Sequence, residues 1–527
     1  MEDPGRAAGL LAALEASDAG GAAVAVLVAA ADATRVGHQN PLTLGLLAAA
    51  LGDSSERERE SASPDSVGLG IATALLPRDG VRGLEEIRGD PGDERRFTLD
   101  PSVAAALAES RRGRVPAPRL WDALVAHTAD PGDRVRVALE AARRSLLRHA
   151  VELCLPLAMA DHAPALLVLA RCLNDEGGTA AASEACLRRA AELGDPAALF
   201  AFGQYLESTR RREEGADFIR RAAEARYPTA MGNWADKLHR AGDKAEADVW
   251  WDRAASLGDP SRMYSRGRRL AAAGDEKSAE AWFMRASDAG HGLAIGELDS
   301  LLRRQHRETE ADEQLRDRAA RVPYAMSFLG SKAPDTAEGR ALLERAAEAG
   351  ETAAMKMLAE KLEAAGQPEP AEAWLLKAID ARDTWALRTL LEGHKLEIER
   401  CERIEYFLEL ADRCRADELF ALAERFDQAG HGATVDGYFH RRSEAGDADA
   451  QAAHAERLWR AEKLEQSESW WRRAIEGGAG YARDRFATAL ETIGRADEAH
   501  ALRRFGIEPG GATGHFDVLP TWLGISA

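Results

Sequence analysis

Apolar and small residues recur at three- and four-residue intervals along most of this chain, the spacing of one face of a helix. In TAMGNWADKLHRAGDKAEADVWWDRAASLGDP, Thr229–Pro260, they stand at Ala230, Trp234 and Leu238, and again at Ala247, Trp251 and Ala254. This predicts two helices broken at Gly242-Asp243. Gly242 is expected to end the first helix in the left-handed conformation, and Asp243 to cap the second. Gly258-Asp259-Pro260 repeats the device, with proline at a first helical position where its missing N–H costs nothing.

The pattern is periodic. WDRAASLGDP from Trp251 recurs in kind from Leu187, Ile219 and Phe283, each 32 residues from the next, and the spacings Leu343 to Leu375 and Phe439 to Trp471 are again 32. A degenerate member lies around Arg316–Met326, a further unit starts at Leu408, an early one stands at Met159, and a last, shortened one starts at Thr488. About eleven units therefore run from near residue 150 to near residue 506, and one unit alone cannot bury its apolar face. The expected fold class is all-α, a solenoid of helix-turn-helix repeats of about 32 residues.

Residues 1–149 do not share the period. An Ala/Leu-rich helix pair is followed by GDSSERERESASPDS, Gly52–Ser66, which reads as a mobile loop. Alternation around Leu84–Arg88 and Arg95–Leu99, flanking the turn Asp90–Asp93, predicts a β-hairpin. The domain reading is thus 1–149 for this helical module, 150–506 for the solenoid and 507–527 for a tail. In that tail Phe516, Leu519, Trp522 and Leu523 are expected to cover the last repeat, with Trp522 as a partner-binding hook being the alternative.

Counting from Gly242, Ala247 lies at +5, Trp251 at +9, Ala254 at +12 and Pro260 at +18. This layout resembles the tetratricopeptide repeat, and the AAExGD junction is similar to the related Sel-like repeats. Arg210 and Glu462 stand where the turn glycine would be. The order helix, helix, hairpin, helix in the first 149 residues looks like a winged-helix-type module. It is similar to the segment linking the ATPase core to the repeats of large actinobacterial signalling NTPases. The resemblance implies a non-enzymatic scaffold that holds a protein partner, as a peptide or helix, along the first helices of the repeats. Carried onto this sequence, it names Gln204, Asn233, Asp236, His239, Arg240, Tyr264 and Arg268 as partner-binding candidates. The alternative is a regulatory subunit coupling partner recognition to a separate NTPase or to DNA through the N-terminal module.

Composition narrows this further. The formal net charge of −19 repels polyanions, so nucleic acid is a disfavoured partner. Five cysteines with no CxxC pair read as thiols of a reducing cytosol, and no apolar run approaches the ~20 residues of a spanning helix. A cytoplasmic protein without membrane contact is expected. No P-loop, HExxH, GxSxG or GxGxxG occurs, the thirteen histidines are scattered, and no cofactor or metal is expected. Of the paired tryptophans, Trp251 takes the knob position that Ile219, Phe283 and Trp471 take elsewhere, and so reads as framework. The role of Trp250, like that of its counterpart Trp470, depends on how far the neighbouring repeat covers it.

Overall fold

The computed structural model describes residues 4–16, 20–51, 64–77, 81–87, 94–110, 115–173, 180–393, 403–414, 416–509 and 513. Twenty-two described helices, from Ala163–Leu173 to Ala496–Phe505, alternate as eleven pairs, and the expected all-α solenoid with a small hairpin module is what the chain forms. Two compact units are distinguished. One joins Met1–Tyr205 with Phe439–Ala527, and the other is Leu206–Tyr438.

What spaces most of the repeat helices is a residue with positive φ at the end of one and before the start of the next. Residues 194, 210, 226, 242, 258, 274, 290 and 306 all have it, at 16-residue intervals, and so do 430, 446, 462, 478 and 494. Glycine occupies most of these positions because it enters the left-handed region without a Cβ clash. Arg210, Arg226, His306 and Glu462 enter it as well, at φ of 68°, 64°, 58° and 59°. Arg210 and Glu462 thus do take the conformation of the glycine they replace. The closing bonds recur: the Gly242 N–H donates to His239 O at 3.2 Å and that of Asp243 to Leu238 O at 3.0 Å. The same pair links Gly274 to Ala271 and Asp275 to Leu270, at 3.1 and 3.0 Å. Asp259 and Asp275 cap the helices that follow them, whereas the Asp243 carboxylate makes no capping bond.

Within Leu206–Tyr438, the small residues let paired helices approach. A Cβ added at Gly267 would meet the Phe283 ring at 2.7 Å. Around that contact Met263, Leu270, Phe283, Ala286, Ala294, Leu298 and Leu302 form one buried cluster. Trp250 and Trp251 are 8% and 9% exposed, so both are buried, and Arg266 and Arg269 of the next repeat lie over the Trp251 ring.

In the other unit, the N-terminal module runs helix Gly20–Arg35, strand β1 (Leu42–Thr43), helices Leu44–Leu51 and Pro64–Ala74, then β2 (Leu84–Ile87) and β3 (Arg96–Leu99). The strands pair antiparallel in the order β1-β3-β2. β1 was not legible in the sequence, because two residues carry no alternation. Gly52–Ser66 is outside the described residues except for its last three, which begin the helix Pro64–Ala74; the turn Asp90–Asp93 is also outside them. The buried Asp133 anchors the lead into β1 by accepting the N–H groups of Gln39 and Asn40, both at 3.0 Å, and the Arg136 guanidinium.

The same unit joins the two ends of the repeat array. Arg144 donates to Gly477 O at 2.8 Å and to Glu476 O at 3.3 Å, and Ile507 N–H donates to Ser145 O at 2.9 Å. Arg148 pairs with Glu508. Phe516, Leu519, Trp522 and Leu523 are outside the described residues. The tail's described part meets the helix Leu147–Met159, and Arg472 donates to Thr513 Oγ1 at 3.4 Å.

Gly258→Ala, at φ +96° with open space around it, is expected to cost about 1 kcal/mol from backbone strain alone. By the same reasoning Arg226→Gly should be neutral or stabilise by up to ~1 kcal/mol; urea unfolding checks both. Gly506→Ala, whose Cβ would lie 1.9 Å from Ser145 O, should cost about 3 kcal/mol. On acidification, burial holds the His38 and His149 imidazoles below their ordinary value. The unfolded chain then binds protons first, so stability falls as pH drops through about 6.5. Burial opposes charge on Asp133, but its backbone N–H donors and Arg136 outweigh this and lower its pKa. Its contribution is present above about pH 4 and lost below. Thermal midpoints should decline from pH 7 to 5, and His149→Gln should flatten that decline.

Candidate functional site

The helix Pro260–Ala272 is built by its sequence to present one face to the repeat before it. The Asp259 carboxylate accepts the N–H groups of Ser261 and Arg262, at 2.8 and 3.2 Å, and Pro260 fixes the first turn. Met263, Gly267 and Leu270 turn into the core. Arg262, Ser265, Arg266 and Arg269 then face the helices Pro228–Ala241 and Lys244–Ala255. Between them lies a cleft of about 320 Å³, lined by Gly232, Asp236, Trp251, Arg262, Arg266 and Arg269, with Asp259, Ser261 and Ser265 at its edge.

Trp251 is its floor. The indole Nε1–H donates to Asp236 Oδ1 at 3.1 Å, and the Arg269 guanidinium lies 3.9 Å over the ring while pairing with Asp236 at 3.0 Å. Such stacking adds about 0.5–1 kcal/mol at exposed sites and more when desolvated. Arg266, 5% exposed, donates to Asp252 at 2.7 Å and Asp248 at 2.5 Å. Burial opposes its charge, but the two carboxylates more than offset this and hold its pKa above the ordinary value. Arg262 differs from both. Its Nε is buried without a hydrogen-bond partner, 3.4 Å from Asp259 Oδ2, and Nη2 reaches Thr229 Oγ1 only at 3.4 Å. It lies so close over Gly232 that a Cβ there would be 3.0 Å from Nη1.

Of the residues named from sequence, Asp236 lines the cleft. His239 is exposed and tilted against the Trp251 ring at 5.3 Å, and the exposed Arg240 donates to Asp236 O at 3.2 Å. Asn233 is half-buried, with Oδ1 unpartnered. Tyr264 stacks on His291 at 4.4 Å and leans on the core at Phe283, and the exposed Arg268 lies over its ring at 6.0 Å. Gln204 is exposed on the helix Pro196–Ser208, in the other unit. Sequence reasoning missed Arg262, Arg266 and Arg269. The available signal was the helix itself: PSRMYSRGRRLAA carries four arginines and no acid in a chain of net charge −19.

Other chemistry is sparse. Among the described residues no group of three His, Cys, Asp or Glu is placed to hold a metal ion, and no helix is long and apolar enough to cross a membrane. Cys154, Cys172 and Cys186 are buried. Burial pushes the Cys186 thiol up to about 12 and that of Cys154 higher still, so neither supplies thiolate at neutral pH. Cys401 and the Cys414 side chain lie outside the described residues.

No protein-family model and no curated protein matches the chain. Similar solved structures include a protective antigen of uropathogenic Escherichia coli displaying an SLR fold. It is 20% identical, with a TM-score of 0.32, over 67% of this chain and 78% of that one. A Sel1 repeat protein from Oxalobacter formigenes is 19% identical, with a TM-score of 0.28, over 46% and 96%. Yeast Tom70 is 12% identical, with a TM-score of 0.22, over 75% and 87%. At these values nothing about partner or activity carries over to this chain.

The geometry makes Asp236 the hub of the cleft. Asp236→Ala is expected to cost about 1–2 kcal/mol, because the buried indole N–H loses its acceptor. Asp236→Asn, which keeps an acceptor, should recover most of it. Chemical unfolding followed by tryptophan fluorescence measures both.

Proposed function

We propose that this protein is a non-enzymatic interaction scaffold whose solenoid groove holds a protein partner, as a peptide or helix. Residues 150–506 form the binding array, 1–149 a second docking module and 507–527 a closing tail. The observation carrying this reading is the cleft over Trp251. It is concave and opens beside the exposed Arg240 and Arg268 on successive first helices. Repeat arrays bind along such surfaces, where residues from successive units meet one extended ligand.

A second reading, regulatory coupling to a separate NTPase or to DNA through residues 1–149, is supported by the helix-strand-helix-helix-strand-strand order from Gly20 to Leu99. The DNA arm is weakened by the helix Pro64–Ala74, PDSVGLGIATA, which has no basic residue to meet phosphate. A gel shift at low salt that shows no retardation removes it.

Affinity purification of the full chain from its native cell should recover a partner at near-stoichiometric yield. Arg240→Glu with Arg268→Glu is then expected to weaken that partner about tenfold, or ~1.4 kcal/mol, with an unchanged melting curve. Unchanged affinity would move the site off this groove.

A further inference from the structure

We infer that the cleft over Trp251 selects an acidic, extended segment of the partner, whose carboxylates pair with Arg262 and Arg268. The inference rests on the groove reading above and adds the chemistry of what enters it. Four arginines occupy the helix Pro260–Ala272, and two of them are already committed. Arg266 is held by Asp248 and Asp252, and it is buried, so it belongs to the framework. Arg269 is shared between Asp236 and the Trp251 ring.

Arg262 and Arg268 are not committed in this way. Arg262 keeps one buried N–H without an acceptor, and its contacts to Asp259 and Thr229 are both at 3.4 Å. A guanidinium has five N–H donors in a planar fork that matches a carboxylate two bonds at a time. Among the described residues no carboxylate lies at ion-pair distance from Arg268 or from the neighbouring Arg240, although the chain has 88 acidic side chains to 69 basic ones. In so acidic a protein, unpaired arginines beside a concave surface are a local inversion of charge. They attract an acidic segment while the rest of the surface repels polyanions in general.

The Arg269–Asp236 pair adds a second feature. Both partners are over 40% exposed, and such pairs contribute only about 0–1 kcal/mol. A partner carboxylate can therefore take over Arg269 at small cost, while Asp236 stays bonded to the Trp251 indole. The cleft's 320 Å³ admits side chains, and Ser261 in its lining offers a hydroxyl to the entering backbone, whereas the Ser265 hydroxyl donates to Ser261 O at 2.8 Å.

The test uses the full chain and two fluorescein-labelled dodecapeptides, one with glutamate at every second position and one with glutamine in its place. Fluorescence anisotropy in about 50 mM salt reads the binding. The glutamate peptide should bind at least tenfold more tightly than the glutamine peptide. Arg262→Gln with Arg268→Gln should weaken it about tenfold, at an unchanged melting temperature. If the glutamine peptide binds equally, and is lost on Arg240→Glu with Arg268→Glu, the acidic selectivity is wrong and the groove reading stands. A glutamate peptide indifferent to the arginine changes, or one that fails to bind below about 1 mM, also overturns the inference. In that event the groove reading is judged by the native-partner measurement alone.

Discussion

A left-handed residue every sixteen positions is the constraint on which the rest of this structure depends. Each such residue closes one helix by bonding its own N–H and that of the residue after it back to the helix's last turn, and it fixes where the following helix begins. Two such intervals make a repeat. Because a helical residue turns about 100°, a change of one residue in this interval would swing a helix's buried face toward solvent. From Gly194 to His306 and from Gly430 to Gly494 the chain keeps the interval even where it lacks glycine, accepting Arg210, Arg226, His306 and Glu462 in a conformation that costs each about 1–2 kcal/mol.

The cleft is a consequence of that interval. Residues about one repeat apart come into contact, so Asp236 meets Arg269, Thr229 meets Arg262 and Asp299 meets Lys332. Trp251 serves packing and surface together: nearly all of it is covered, while one face floors the cleft beneath Arg269. Its neighbour Trp250 lies under Arg253, 4.8 Å above the ring. The question raised by the pair of tryptophans has a divided answer, in which both hold the framework and only Trp251 also lines the cleft.

Much of the architecture was legible because it is local and repeated. The Leu-Gly-Asp-Pro junctions, the 32-residue period and the hairpin strands each leave a pattern within a few residues. What is not local was not legible. Nothing near Arg144 announces that it donates to a carbonyl at Gly477, 333 residues away. β1 is too short to alternate. In the cleft, counting from Gly274 chose Tyr264 and Arg268, while their sequence neighbours Ser265 and Arg269 line it. A repeat alignment locates a helix face, but rotation within that face is set by which side chains the adjacent pair accepts, here Gly267 against Phe283.

Zero-length carbodiimide coupling with mass spectrometry measures that register directly, since it joins only an amine and a carboxylate already in contact. Lys332 Nζ lies 2.7 Å from Asp299 Oδ1, and Lys237 contacts Glu207 in the same way. The account predicts amide links between Lys332 and Asp299 and between Lys237 and Glu207 in the native protein, both lost in urea. Native links that instead join these lysines to carboxylates half a repeat away would contradict the stacking on which the cleft depends.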